Sequence, residues 1–206
     1  MAKVVRLYES SPDQRQLQSV ADAMAQGALV IYPTDTVYAL GCLSTQPKAL
    51  KQLAKIKGVK LEKAPFSFFF QNISVLSQYV THFDAPIYRL INKALPGPYT
   101  FIFKGGKKLP KPFDKRKDIG ARISSHPILK ALVELLDAPL VTTSLHDKDK
   151  VIEYTTDPDQ IYENWSDRVD IIIDAGAGGN VPSTVIDLTT PTPEIVRLGL
   201  GDAAIL

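Results

Sequence analysis

The feature that most constrains this chain is an apolar run at residues 28–32, Ala-Leu-Val-Ile-Tyr, stopped by Pro33. A short run rich in Val and Ile, without polar alternation, predicts a strand buried on both faces. Proline has no N–H to give to a ladder, so an interior strand ends there. Thr34, Asp35 and Thr36 follow at once. They place two hydroxyls and a carboxylate where a strand leaves its sheet, the edge at which α/β proteins bind ligands. The same triplet is also ordinary turn chemistry. Residues 37–40 are apolar again, and Gly41 permits a turn or a close approach.

The rest of the chain can be read around that strand. Residues 4–8 predict a strand, and Ser11-Pro12 a helix start, a hydroxyl cap with proline in the first turn. Leu17, Val20, Ala21 and Met24 recur at helical spacing, and Gly27 closes that helix. Pro47 opens a second helix with Leu50, Leu53, Ala54 and Ile56 facing inward. Residues 55–64 read as a basic loop. Residues 65–70 read as a strand whose Phe68, Phe69 and Phe70 belong to a core rather than to a base-stacking platform. Helices are predicted at 75–80, 86–94, 127–136 and 158–165, and strands at 99–103, 119–123, 139–143 and 169–174. Residues 184–188 and 195–198, joined by a Pro-rich turn, predict an antiparallel hairpin. Gly176-Ala177-Gly178-Gly179 is a turn, because no helix pattern follows to make a phosphate loop. Residues 104–118 and 145–156 are polar loops, and a loop as long as the first is usually functional or mobile. Strands alternating with helices predict an α/β or α+β fold on a mixed sheet.

At 206 residues, 45% hydrophobic and 22% charged, the chain suits one globular domain spanning 1–206. One cysteine, Cys42, excludes an intrachain disulfide and a multi-cysteine zinc site, and reads as a buried thiol. His82, His126 and His146 lack metal-ligand spacing, so no metal site is expected. His146 beside Asp147 reads as a loop histidine rather than an acid–base catalyst. No signal-peptide pattern or membrane-length apolar run is present, which predicts a cytoplasmic protein without a membrane partner. A net charge of +2 does not by itself call for nucleic acid. The distribution is more informative, with Lys55, Lys57, Lys60 and Lys63 in one cluster and Lys104, Lys107, Lys108, Lys111, Lys115, Arg116 and Lys117 in another. Both are either solvated loops or, if they share a face, a footprint for phosphate of a nucleotide or of RNA.

Pro33-Thr34-Asp35-Thr36-Val37-Tyr38-Ala39-Leu40-Gly41 resembles the Pro-Thr-Glu-Thr-x-Tyr-Gly-Leu-Gly signature of the YrdC/YciO family, which includes the L-threonylcarbamoyladenylate synthases. Leu95-Pro96-Gly97-Pro98-Tyr99-Thr100, Ala121-Arg122-Ile123-Ser124-Ser125-His126-Pro127, Thr142-Thr143-Ser144, Pro182-Ser183-Thr184-Val185-Ile186-Asp187 and Val196-Arg197-Leu198-Gly199 match further motifs in register. The resemblance implies an open twisted mixed sheet with a concave positive cavity. It implies a reaction of ATP with Mg²⁺, threonine and bicarbonate that gives threonylcarbamoyl-AMP and serves modification of adenosine 37 in transfer RNA. By matched position, Thr34, Arg122, Ser144 and Ser183 would contact the amino-acid substrate, Arg122 as the carboxylate clamp. Ser144 and Ser183 would also reach the phosphates. Lys57, Lys60, His146, Thr155 and Arg197 would reach the nucleotide.

The chain departs from the synthase pattern at three places. Lys-x-Arg of the synthases is Lys57-Gly58-Val59 here, with Lys60 one residue on, and a lysine is only a point-charge substitute for a bidentate arginine. Asn-Pro is Ala64-Pro65, and the histidine that follows falls among Phe68 to Phe70. Ser-Ala-Asn is Ser144-Leu145-His146. These departures are similar to those of the YciO branch. They leave three readings open: a synthase-type enzyme, an RNA-binding protein without synthase activity, or an enzyme on another nucleotide or carbamoyl compound. The RNA-binding reading uses Lys57, Lys60, Lys63, Lys107, Lys108, Lys111, Lys115 and Arg116 on transfer, ribosomal or double-stranded RNA.

Overall fold

The apolar run before Pro33 forms an interior strand, held on one side by its sequence neighbour and on the other by a strand from the C-terminal third. The structure is a computed structural model describing residues 1–145 and 154–206. In chain order the elements are β1 (Lys3–Arg6), α1 (Gln14–Ala25), β2 (Val30–Tyr32), β3 (Ala39–Leu43), α2 (Pro47–Ile56), β4 (Ser67–Phe69), α3 (Ile73–Ser77) and α4 (Ala85–Ala94). They continue with β5 (Tyr99–Lys104), β6 (Asp118–Arg122), α5 (Pro127–Glu134), β7 (Leu140–Ser144), α6 (Pro158–Trp165), β8 (Ile171–Asp174), β9 (Thr184–Asp187) and β10 (Glu194–Arg197). One ten-stranded sheet runs β1-β8-β2-β3-β7-β4-β6-β5-β9-β10. It is mixed, as expected: β2 runs parallel to β8 and antiparallel to β3, and β4 parallel to β6 and antiparallel to β7. The predicted C-terminal hairpin is the antiparallel pair β9–β10.

Side chains alternate across strands, so the sheet has two faces. On one, Ile31, Leu40, Cys42, Phe68, Phe101, Ala121, Val141 and Ile172 pack with Leu50 and Leu53 of α2, Ile91 of α4 and Ile161 of α6. The phenylalanines are core, as expected: Phe68 and Phe70 enter this layer and Phe69 the opposite one. Burial pushes the Cys42 thiol up to about 12, which makes it inert as a nucleophile. On the other face, Val30, Tyr32, Leu43, Leu140, Ile171 and Ile173 pack against Leu17, Val20 and Met24 of α1 and Ile128, Leu129 and Leu132 of α5. Farther along that same face, β4, β5, β6 and β9 carry Ser67, Thr100, Ile102, Gly120 and Val185, which line a cleft.

Two local readings are corrected, and one left open is decided. The cap of α1 is Asp13, not Ser11: its carboxylate accepts from the backbone N–H groups of Arg15 and Gln16. The helix expected at 75–80 begins earlier, at Ile73, because the Asn72 side chain caps it by accepting from Val75 N at 2.9 Å. Val80 instead bridges to Gly105. Of the two uses open to Gly41, a turn or a close approach, it is the close approach that occurs. The residue sits inside β3, where a Cβ would lie 2.5 Å from the Tyr32 hydroxyl and against the Val141 carbonyl. The missing side chain lets Tyr32 reach across β3 and donate to Thr142 Oγ1 of β7 at 2.7 Å.

Candidate functional site

The cleft has a volume of about 480 Å³, within the range of small-molecule sites. Small residues make its floor. A Cβ on Gly120 would sit 2.7 Å from Ser67 Oγ and 3.2 Å from a Thr100 methyl. Lys57, Arg116, Arg122 and Arg197 line it, together with Thr100, Thr142, Thr143, Ser144 and Ser183. Five of the residues expected at a site from the sequence, Lys57, Arg122, Ser144, Ser183 and Arg197, therefore converge, although they span most of the chain.

Arg122 is the most buried of the cations. Its Nη2 donates to Asp35 Oδ1 at 2.9 Å and to Thr36 Oγ1 at 3.0 Å, and its guanidinium lies 4.8 Å from the Phe69 ring centroid. Asp35 also accepts from the backbone N–H of Ser125 at 3.2 Å. Burial pulls the Arg122 pKa down and the Asp35 carboxylate opposes this. The carboxylate expected to face a ligand is instead spent on holding this arginine. Arg122 cannot offer a free bidentate fork, because Nη2 is committed and Nε is buried without a partner.

Thr34 does not line the cleft. Its hydroxyl donates to the Val37 carbonyl at 2.7 Å and accepts from Thr36 N at 3.0 Å, bracing the turn that presents Asp35 and Thr36 to Arg122. At the far side, Arg197 of β10 donates through Nε and Nη2 to the Ser183 carbonyl at 3.2 and 2.7 Å, and through Nη2 to Ser183 Oγ at 3.3 Å. Ser183 Oγ shares a 2.8 Å hydrogen bond with Thr100. Lys57, just past α2, reaches Ser144 O at 3.3 Å, and its half-burial lowers its pKa.

Arg116, expected among the RNA-facing residues, turns inward to the cleft. It donates to the carbonyls of Leu61 at 3.3 Å and of Ala64, over the Phe113 ring, and burial lowers its pKa. These bonds tie the 104–117 loop to the 57–64 turn, while Lys108 of that loop donates to Gln78 Oε1 at 2.5 Å and lies over the Tyr79 ring. Lys60, Lys63, Lys107, Lys108, Lys111 and Lys115 are exposed and do not line the cleft. Among the described residues, no lysine takes part in a salt bridge. Thr155 is buried outside the cleft lining, and His146 lies outside the described residues. Thr100, Thr142 and Asp118 line the cleft without having been singled out. Thr100 and Thr142 stand inside matched motifs but were given no role, and the sequence signal of Asp118 is its strand parity, shared with Arg122 on β6.

A mixed sheet left open on one face, with four cations and a row of hydroxyls over a small-residue floor, defines an α/β scaffold suited to an anionic small molecule. The Sua5/YciO/YrdC family model, described as "Telomere recombination", matches residues 22–199, and the chain belongs to that family. It is 37% identical to Escherichia coli YciO over 98% of both chains, and the crystal structure of that protein matches with a TM-score of 0.91 over 100% of this chain and 99% of the other. A threonylcarbamoyl-AMP synthase of Pseudoalteromonas translucida is 29% identical over 85% of this chain and 94% of its own. The structure of Pyrococcus abyssi Sua5 complexed with L-threonine matches with a TM-score of 0.85 at 25% identity, over 96% of this chain and 58% of that longer one. Among the described residues no helix is long and apolar enough to cross a membrane.

Proposed function

We propose that the cleft binds a nucleotide together with an amino acid, and that it supports adenylation of a carbamate. Threonine amine and bicarbonate condense to N-carboxythreonine with loss of water. A carbamate oxygen then attacks the α-phosphorus of ATP, and pyrophosphate leaves. No protein nucleophile is required, and preorganised donors carry the chemistry. Lys57 and Arg197 neutralise the phosphates. Ser144, Ser183 and Thr100 offer hydroxyls, and the free Nη1 edge of Arg122 meets a carboxylate. The observation that carries this reading is the convergence of Lys57, Arg122, Ser144, Ser183 and Arg197 on one cleft of about 480 Å³. The relatives named as synthases, and the one complexed with threonine, support it. Incubation with threonine, bicarbonate and ATP·Mg²⁺ is expected to release pyrophosphate and to form threonylcarbamoyl-AMP, seen by mass spectrometry. Pyrophosphate release no faster than in an Arg197→Ala variant would refute it.

A second reading is favoured by the Arg116 bonds that join the two basic segments. In this reading the joined segments, with Lys57, Lys60, Lys63, Lys107, Lys108, Lys111, Lys115 and Arg116, meet the spaced negative charge of an RNA backbone. It accounts for the lysine-rich loop without requiring synthase activity. A gel shift with transfer RNA that weakens steeply between low and physiological salt is expected, and salt-independent or absent binding counts against it.

A further inference from the structure

Among the described residues the cleft wall contains one carboxylate. Asp118 lines the cavity beside Arg116, and no other Asp or Glu does so among the described residues. It is exposed, and it makes no salt bridge and no side-chain hydrogen bond among the described residues. Its cross-strand partner on β5 is Lys104, which does not pair with it. Asp35, by contrast, is consumed by Arg122. Asp118, Gly120 and Arg122 share one face of β6, so the unpaired carboxylate lies about 13 Å along the floor from the Arg122–Asp35 ion pair, at about 3.3 Å per residue. Three further cations surround the space between them. A bare polyphosphate would be attracted by those cations and repelled at the Asp118 end. A polyphosphate carrying a divalent ion would present positive charge there.

We propose that Asp118 makes the cleft discriminate between a metal-free and a metal-complexed polyphosphate, by receiving the divalent ion that the nucleotide brings. The proposal rests on the nucleotide-binding reading above. A carboxylate oxygen is the hard donor that Mg²⁺ takes alongside phosphate oxygens and water, and Asp118 has both oxygens uncommitted. The remaining rim cations, Lys57 and Arg116, then contact phosphate oxygens that the metal leaves open. Orientation follows: the polyphosphate lies with its metal-bound edge toward β6 residue 118 and its opposite edge toward Arg197.

Isothermal titration of the full chain with ATP, once in EDTA and once with Mg²⁺, tests this without any turnover. The wild type is expected to bind ATP·Mg²⁺ more tightly than metal-free ATP. Asp118→Asn, at an exposed position, is expected to bind metal-free ATP about threefold to tenfold more tightly than wild type, from the loss of one repulsive charge in a water-filled cleft. It is also expected to lose most of the Mg²⁺ preference, and Asp118→Glu to restore it. An unchanged Mg²⁺ preference in Asp118→Asn overturns the proposal while leaving nucleotide binding intact. An equal change in both titrations also overturns it, because that marks a purely structural effect. Absence of ATP binding by the wild type in both titrations overturns the proposal and the nucleotide reading together.

Discussion

The Arg122–Asp35 pair can be dissected by a double-substitution cycle. Both side chains are nearly sequestered, 7% and 6% exposed, so removing one partner strands a charge in low dielectric. Breaking a buried pair from one side costs about 3–5 kcal/mol. Asp35→Asn sits near the lower end, because its one amide oxygen still accepts from Arg122, although the bond from the Ser125 N–H to the second oxygen is lost. For Arg122→Met the stranded carboxylate keeps the Ser125 N–H, and the substitution also removes the partnerless Nε donor, so about 3 kcal/mol is expected there too. The double variant Asp35→Asn/Arg122→Met leaves no unpaired charge and keeps an apolar chain over Phe69. It should cost about 3 kcal/mol rather than 6, a coupling of about 3 kcal/mol. Urea unfolding, followed by Trp165 fluorescence and far-ultraviolet circular dichroism, reads this directly. With a slope of about 2–3 kcal/mol per molar urea, each single variant should lower the midpoint by about 1–1.5 M, and the double by no more. Coincident transitions from the two probes justify the two-state treatment. Midpoint losses that simply add, or single losses under about 1 kcal/mol, would refute the reasoning, since they would mean that the pair is solvated.

Two further outcomes follow from the geometry. Gly41→Ala forces a methyl against the Val141 carbonyl and within 2.5 Å of the Tyr32 hydroxyl; a loss of about 3 kcal/mol is expected in the same urea assay, and a loss below about 1 kcal/mol would mean that Tyr32 swings aside freely. His126, facing Glu9 at 3.2 Å and near Asp35, has its pKa lowered from 6.5, by burial above all, against the opposing pull of those carboxylates. Below about pH 6.5 the unfolded chain takes up a proton that the folded chain resists, so stability falls as pH drops through that range and is regained above it. His126→Gln should flatten the slope of stability between about pH 7 and 5.5, and an unchanged slope would remove His126 from the cause.

Much of this architecture is legible in local chemistry. Pro33 ends β2, Pro47 opens α2, and the Pro-rich turn before β10 makes a hairpin, because backbone punctuation acts within a few residues. The motif residues Arg122, Ser144, Ser183 and Arg197, far apart in the chain, line one cleft. What local chemistry does not carry is which group each side chain spends itself on. Asp35 and Thr34 sit in an exit turn and look equally available, yet one is bound to Arg122, 87 positions away, and the other to its own loop. Arg116 looks like another surface cation of a lysine-rich loop. It turns inward because the carbonyls of Leu61 and Ala64 lie within its reach. Gly41 allows either a turn or a close approach, and only the crossing of Tyr32 over β3 decides between them. Asp118 shows no periodic signal beyond strand parity.

The floor of the cleft is made by bare strands, with α1 and α5 covering only the neighbouring part of that face. Because pleating sends successive residues to opposite sides, Thr100, Gly120 and Thr142 are interleaved with Phe101, Ala121 and Val141 of the packed interior. Recognition and foldability are thus written in alternate letters of the same segments. A lineage can rewrite what the hollow accepts, one odd-numbered or even-numbered place at a time, while the hydrocarbon layer beneath stays untouched. Such an arrangement lets one scaffold carry different side chains around its cleft without disturbing its interior.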